Sequence, residues 1–168
     1  MTQKTRRLTH AAIIAALYVV LTHAQNILLP NSASMAIQFR VSEALCVLAL
    51  FTPSATAGLS IGCLLFNLSF TGALPYDWIV GTAASFLSAG GMWLTRKWTV
   101  KGYPLPAMLL PPLINGLLVG WELALVIGGG FWLNALYVAI GEGAVLLSLG
   151  SLLYAAIHNR HLEKKLFG

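Results

Sequence analysis

Residues 109–126 read LLPPLINGLLVGWELALV, an unbroken apolar run apart from Asn115 and Glu122. A spanning helix needs roughly 20 mostly apolar residues, because the hydrocarbon layer is about 30 Å thick. A carboxylate at the centre of a lipid-facing helix costs ~2.5–3.5 kcal/mol, so an acid in such a run normally faces a cavity or a partner. The situation recurs along the chain: four of its five acidic residues, Glu43, Asp77, Glu122 and Glu142, lie in or beside apolar stretches, and only Glu163 sits in an ordinary charged tail. The chain therefore reads as a membrane protein built around a small polar pocket.

Composition narrows the class. The mean hydropathy is +0.79 over 168 residues. Only 9% of residues are charged. Disorder is excluded by this composition, and a soluble domain is disfavoured. There is room for six helices and short loops, one domain over 1–168, and none for a nucleotide-hydrolysing domain; the sequence also has no GxxxxGK[ST] phosphate loop. The formal charge of +5 does not indicate nucleic acid, because the basic residues cluster beside apolar segments, as at cytoplasmic membrane flanks. Cys46 and Cys63 form no metal pattern and read as packing residues. His10, His23, His158 and His161 have no metal spacing either. No cofactor or metal is expected, and no nucleophile elbow or HExxH motif suggests an enzyme. The basic start leads into an apolar run without a cleavage signature, which reads as a retained first helix.

The spacing of breakers predicts an all-α bundle of six transmembrane helices: Leu8–Leu28, Gln38–Phe51, Ser54–Phe70, Tyr76–Leu94, Pro104–Ile127 and Phe131–His158. Pro30 to Ile37 and Thr71 to Pro75 read as turns, and Thr52-Pro53 as a break. Pro111-Pro112 predicts a kink or a delayed start. Gly128-Gly129-Gly130 predicts a flexible hinge. Nine of the ten Lys and Arg residues then share one side with both termini, Arg40 being the exception. That side is cytoplasmic by the positive-inside rule. Gln38, Arg40, Glu43, Asn67, Asp77, Glu122, Trp132 and Asn134 consequently fall in the outer half, with Glu142 ~12 Å deeper than Asn134. An outward-facing pocket follows.

Each constellation has a second reading. Arg40 and Glu43 share a helical face as a pocket wall or gate, or simply neutralise each other. Asn115 and Glu122 lie two turns apart, ~10 Å, with Gly116 and Gly120 between them permitting close approach of a ligand or a helix. Glu142, flanked by Gly141 and Gly143, is a deep carboxylate that binds ligand or bonds a neighbouring helix. Trp78, Trp121 and Trp132 suit an interfacial belt better than a stacking platform. Ala11, Ala12, Ala15 and Ala16 form two small-xxx-small pairs, for bundle packing or for a membrane partner.

Several segments carry a resemblance: Ile37-Gln38-Phe39-Arg40-Val41-Ser42-Glu43-Ala44-Leu45, Gly58 to Cys63 with Asn67, Asp77 through Gly81-Thr82, Asn115-Gly116 with Val119-Gly120 and Glu122, and Ile140-Gly141-Glu142. Together they resemble the QueT family. The resemblance implies a substrate-binding S component of an energy-coupling-factor importer, which captures a queuosine precursor (a 7-deazaguanine base) from outside. It implies partnership with a coupling transmembrane subunit and two cytosolic ATPases in a bacterial cell membrane, with the alanine strip docking on the coupling subunit. Such a base presents two donors on one edge, which a carboxylate accepts as a pair. Glu122 or Glu142 suits that edge, Asn or Gln the remaining polar atoms, and Glu43 or Asp77 the cation of an aminomethyl variant. Phe39 or Trp132 is then a cover for the ring.

Overall fold

The computed structural model describes residues 2–30, 39–73 and 76–167. Gln38, most of the expected loop Pro30 to Ile37, and Leu74-Pro75 lie outside the described residues. The described chain is helical: α1 (Gln3–Leu28), a 3-10 helix (Val41–Leu50), α2 (Ser54–Ser69), α3 (Asp77–Thr95), α4 (Leu105–Val126), α5 (Phe131–Val145), a π turn (Leu146–Gly150), α6 (Ser151–Asn159) and α7 (Leu162–Phe167). Among the described residues, three helices are long and apolar enough to cross a membrane: Gln3–Leu28, Leu105–Val126 and the run Phe131–Asn159. Val41–Leu50 and Ser54–Ser69 are apolar but shorter.

Successive long segments alternate in direction, and their contacts fix the register. Tyr18 of α1 meets Glu43, while Gln25 reaches back to Val41. α2 runs parallel to α1, with Gly58 against Ala11 and Gly62 against Ala15 and Tyr18. α3 returns beside α2, where the Asn67 side chain donates to the Asp77 carbonyl. α4 and α5 pair antiparallel, Gly120 against Ala135 and Gly116 against Ala139. The α1 start, the Phe51–Pro53 link, the α3–α4 link and the α6 end thus share one end of the bundle, the basic end. α7 folds back there, where Arg6 donates to the Phe167 carbonyl and the His10 and Phe167 rings meet edge to face. A helix closes what reads from sequence as a plain charged tail.

The expected second α-helix is a 3-10 helix, with Ser42 to Leu50 all buried. It touches α1 to α6 and the π turn, so it forms the axis of the bundle. VSEALCVLAL contains no breaker and no local instruction for tight winding. The enclosure provides a reason. Ten residues span about 20 Å as a 3-10 helix and about 15 Å as an α-helix, so tight winding lets a short segment reach across the bundle. Polar side chains of α1 secure its start. Tyr18 donates to Glu43 Oε1 at 2.7 Å. The Thr22 and Ser42 hydroxyls are 2.7 Å apart. The Gln25 amide donates to the Phe39 carbonyl and accepts from the Val41 N–H, one of the donors that a helix start leaves open.

α4 continues through Pro111 and Pro112 instead of starting late. Both prolines are buried within the bundle, where packed neighbours accommodate carbonyls freed by the missing donors. The three glycines expected to hinge form a turn: Gly128 (φ 90°) and Gly129 (φ 84°) occupy the left-handed region. Asn134 Nδ2 donates to the Gly128 carbonyl at 3.1 Å and fastens that turn.

Candidate functional site

Arg40 precedes the 3-10 helix and Glu43 lies in its first turn. Both face a cavity completed by Gly81 and Ser85 of α3, Asn115 and Val119 of α4, and Val138 and Glu142 of α5. Its volume is ≈ 20 Å³, room for about one water. Four elements thus deliver two carboxylates, a guanidinium, an amide and a hydroxyl to one small cavity.

These groups are held, not merely gathered. Glu43 accepts from Tyr18 and from the Cys46 thiol at 3.2 Å. Glu142 Oε1 accepts from Asn115 Nδ2 at 2.6 Å, and the Ser88 hydroxyl donates to Asn115 Oδ1 at 3.4 Å. Glu43 and Glu142 are 4% exposed each. Arg40 interacts electrostatically with Glu43 and Asp77 and with Glu122 and Glu142. One guanidinium therefore lies within electrostatic range of four carboxylates. In so dry a setting each interaction is far stronger than in water.

The expected site residues divide. Arg40, Glu43, Asn115 and Glu142 line the cavity. Asn67 is buried beside Gly81, its amide 3.1 Å from where a Cβ would stand. Asp77 and Glu122 lie near each other toward the far end of the bundle. Glu122 lines a second cavity of ≈ 250 Å³ with Tyr76, Trp121, Leu125 and Val126. Phe39 and Trp132 are exposed, and Asn134 serves the Gly128 turn, so the structure does not bring these three to the inner cavity. Gln38 lies outside the described residues. Gly116 and Gly120 admit α5 rather than a ligand: a Cβ on Gly120 would stand 2.5 Å from Ala135 Cα.

The alanine strip separates into two faces. Ala11 and Ala15 are buried against α2, while Ala12 and Ala16 are exposed. Trp78, Trp121 and Trp132 are also exposed.

Ser85 and Val138 were not singled out by the sequence, nor was Tyr18; Gly81 and Val119 stood only in the segments that carry the resemblance and were not named as site residues. Tyr18 had a usable signal: Ala11, Ala15, Tyr18, Thr22 and Gln25 recur at helical spacing and make up the buried stripe of α1 together with Ile14. The polar half of that stripe faces Ser42 and Glu43.

Fold and site together define a membrane protein of helical type with a bonded, charged centre. Comparison places it more closely. The family described as QueT transporter matches residues 8–159, and the chain belongs to that family. A relative from Lactococcus lactis subsp. cremoris (strain MG1363), named "Queuosine precursor transporter QueT", is 39% identical over 99 residues, covering 55% of this chain and 54% of the relative. The chain thus spans about half the length of the curated relative it matches. No solved structure matches it.

Proposed function

We propose that this chain is the substrate-capture subunit of an energy-coupling-factor importer, a single domain over 1–168 that takes a 7-deazaguanine queuosine precursor from outside a bacterial plasma membrane. It performs no chemistry itself. A coupling transmembrane subunit and two cytosolic ATPases supply the energy. Six segments traverse the bilayer: α1, the 3-10 helix, α2, α3, α4 and the run α5 to α6. Both termini are cytoplasmic, because the basic end carries nine of the ten Lys and Arg residues.

The observation that carries this reading is the cavity shared by Arg40, Glu43, Asn115 and Glu142. A buried charge without a structural necessity is costly, and evolution retains it where it binds something. Glu142 takes the donor edge of the base, with Asn115 orienting the carboxylate. Arg40 serves the ring carbonyl. Family membership and the name of the Lactococcus relative support this substrate class. With room for about one water, the inner cavity admits a bicyclic base only when its wall moves outward, which suits capture followed by occlusion.

Calorimetric titration of the purified chain tests the reading. Guanine-edged 7-deaza bases should bind and thiamin or riboflavin should not. Preference for a vitamin would reassign the substrate. In liposomes, uptake should require the coupling subunit and ATP; uptake by this chain alone under an ion gradient would make it an autonomous carrier. Ala12→Leu or Ala16→Leu should leave binding intact and abolish coupled uptake, because these exposed alanines form the docking strip.

A further inference from the structure

At the basic end of the bundle a cleft of ≈ 340 Å³ opens between the starts of α1 and α2. Lys4, Arg7, Leu8 and Ala11 form its α1 side, at the i, i+3, i+4 and i+7 spacing of one helical face. Pro53, Ser54 and Ala57 form its α2 side. No acid lines the cleft. Lys4 and Arg7 are exposed, and neither makes an ion pair or a side-chain hydrogen bond with a described residue.

Ser54 supplies a second, independent pointer. It is 7% exposed. Its N–H donates to the Thr52 hydroxyl at 3.3 Å. The N–H groups of Ala55 and Thr56 turn back to the Thr52 and Pro53 carbonyls. The Ser54 hydroxyl itself has no hydrogen-bond partner among the described residues. A buried hydroxyl left unmatched is costly. This one lines a cleft beside two uncompensated cations, at the positive end of the α2 dipole, where an anionic acceptor is favoured.

The order of side chains specifies the anion. α1 and α2 both run away from the basic end. On each helix the polar residue therefore comes first (Lys4 and Arg7, then Ser54) and the apolar wall follows (Leu8 and Ala11, then Ala57). A free phosphate has no use for that wall. A phospholipid presents the same order, a charged phosphate and then acyl chains, and the cytoplasmic leaflet is rich in anionic lipid.

We infer that this cleft holds one anionic phospholipid, its phosphate on Lys4, Arg7 and the Ser54 hydroxyl and the start of an acyl chain along Leu8, Ala11 and Ala57. The inference rests on the proposed orientation for the leaflet but not on the inner cavity, so calorimetric base binding is a separate readout.

Native mass spectrometry of the full chain in detergent, titrated with phosphatidylglycerol or phosphatidylcholine, tests the site. The first phosphatidylglycerol should bind at least tenfold tighter than phosphatidylcholine. Lys4→Gln with Arg7→Gln should remove that preference, at about fivefold per cation. Ser54→Ala should weaken phosphatidylglycerol about fivefold, the worth of one hydrogen bond. Lys97→Gln with Lys101→Gln removes the same charge from exposed positions at the same end and should change nothing. Equal affinity for the two lipids would overturn the site and leave the cations to an acidic protein partner. Equal losses from the Lys97 and Lys101 pair, or none from Ser54→Ala, would reduce it to diffuse surface attraction and overturn it too. Displacement of the lipid by millimolar inorganic phosphate would overturn the lipid assignment.

Discussion

The seams between helices and the centre of the bundle both depart from plain hydrophobicity, for opposite reasons. At the α1–α2 and α4–α5 seams the departures are small residues. Gly58 sits under the Ala11 carbonyl and Gly120 against the Ala135 backbone. No polar chemistry is involved; the gain is close approach, which drives helix association where lipid offers no hydrophobic penalty. At the centre the departures are charged residues, and each is anchored: Glu43 by Tyr18 and Cys46, Glu142 by Asn115. At these seams a glycine therefore marks architecture, and on the proposed reading a buried acid at the centre marks the ligand. The comparison makes separable predictions, because seam changes should reach stability first and central changes binding first.

The largest effect belongs to the seam. Gly120→Leu places a branched side chain where a Cβ alone would stand 2.5 Å from Ala135 Cα and 2.6 Å from its nitrogen. Backbone cannot yield as a side chain does, so α4 and α5 must part, at a cost above ~3 kcal/mol. Loss of monodisperse folded protein on size exclusion is expected; a normal melting temperature would break the comparison. Next comes Glu142→Gln, which keeps the shape and removes the charge. Base affinity should fall by ~1.5–3 kcal/mol, the worth of a charge-assisted bond, with melting shifted little. Tyr18→Phe should destabilise the protein by ~1–3 kcal/mol, since a buried Glu43 oxygen loses its donor. Thermal unfolding of the unliganded chain checks it, and a greater loss in binding than in stability would move Tyr18 into the ligand site. Cys46→Ala should be smallest, under ~1 kcal/mol, because a thiol is a weak donor.

How much of this was visible in the sequence depended on the kind of residue. Glu43, Asn115 and Glu142 were legible because polar groups in apolar runs are rare and must be explained. Depth along a helix was legible too, from 1.5 Å per residue. Azimuth was not. Trp132 and Asn134 occupy the expected level but not the inner cavity, because counting residues from a helix end does not say which way a side chain faces. Gly116 and Gly120 stand between two polar residues and so resembled a ligand groove, whereas the space belongs to Ala135 and Ala139. Tyr18 escaped because tyrosine is common at interfaces and in cores alike. Its period with Thr22 and Gln25 was the available clue. The winding of Val41–Leu50 had no local signal at all, since packing on every side imposes it.

That winding has a mechanical corollary. The 3-10 helix runs from Arg40 in the inner cavity to Phe51, which stacks on Tyr154 near the basic end. Each residue that relaxed to α winding would shorten the segment by ~0.5 Å. Ten residues hold about 5 Å of stroke, so an axial strut of this kind could carry displacement from the inner cavity toward the basic end of the bundle without a hinge.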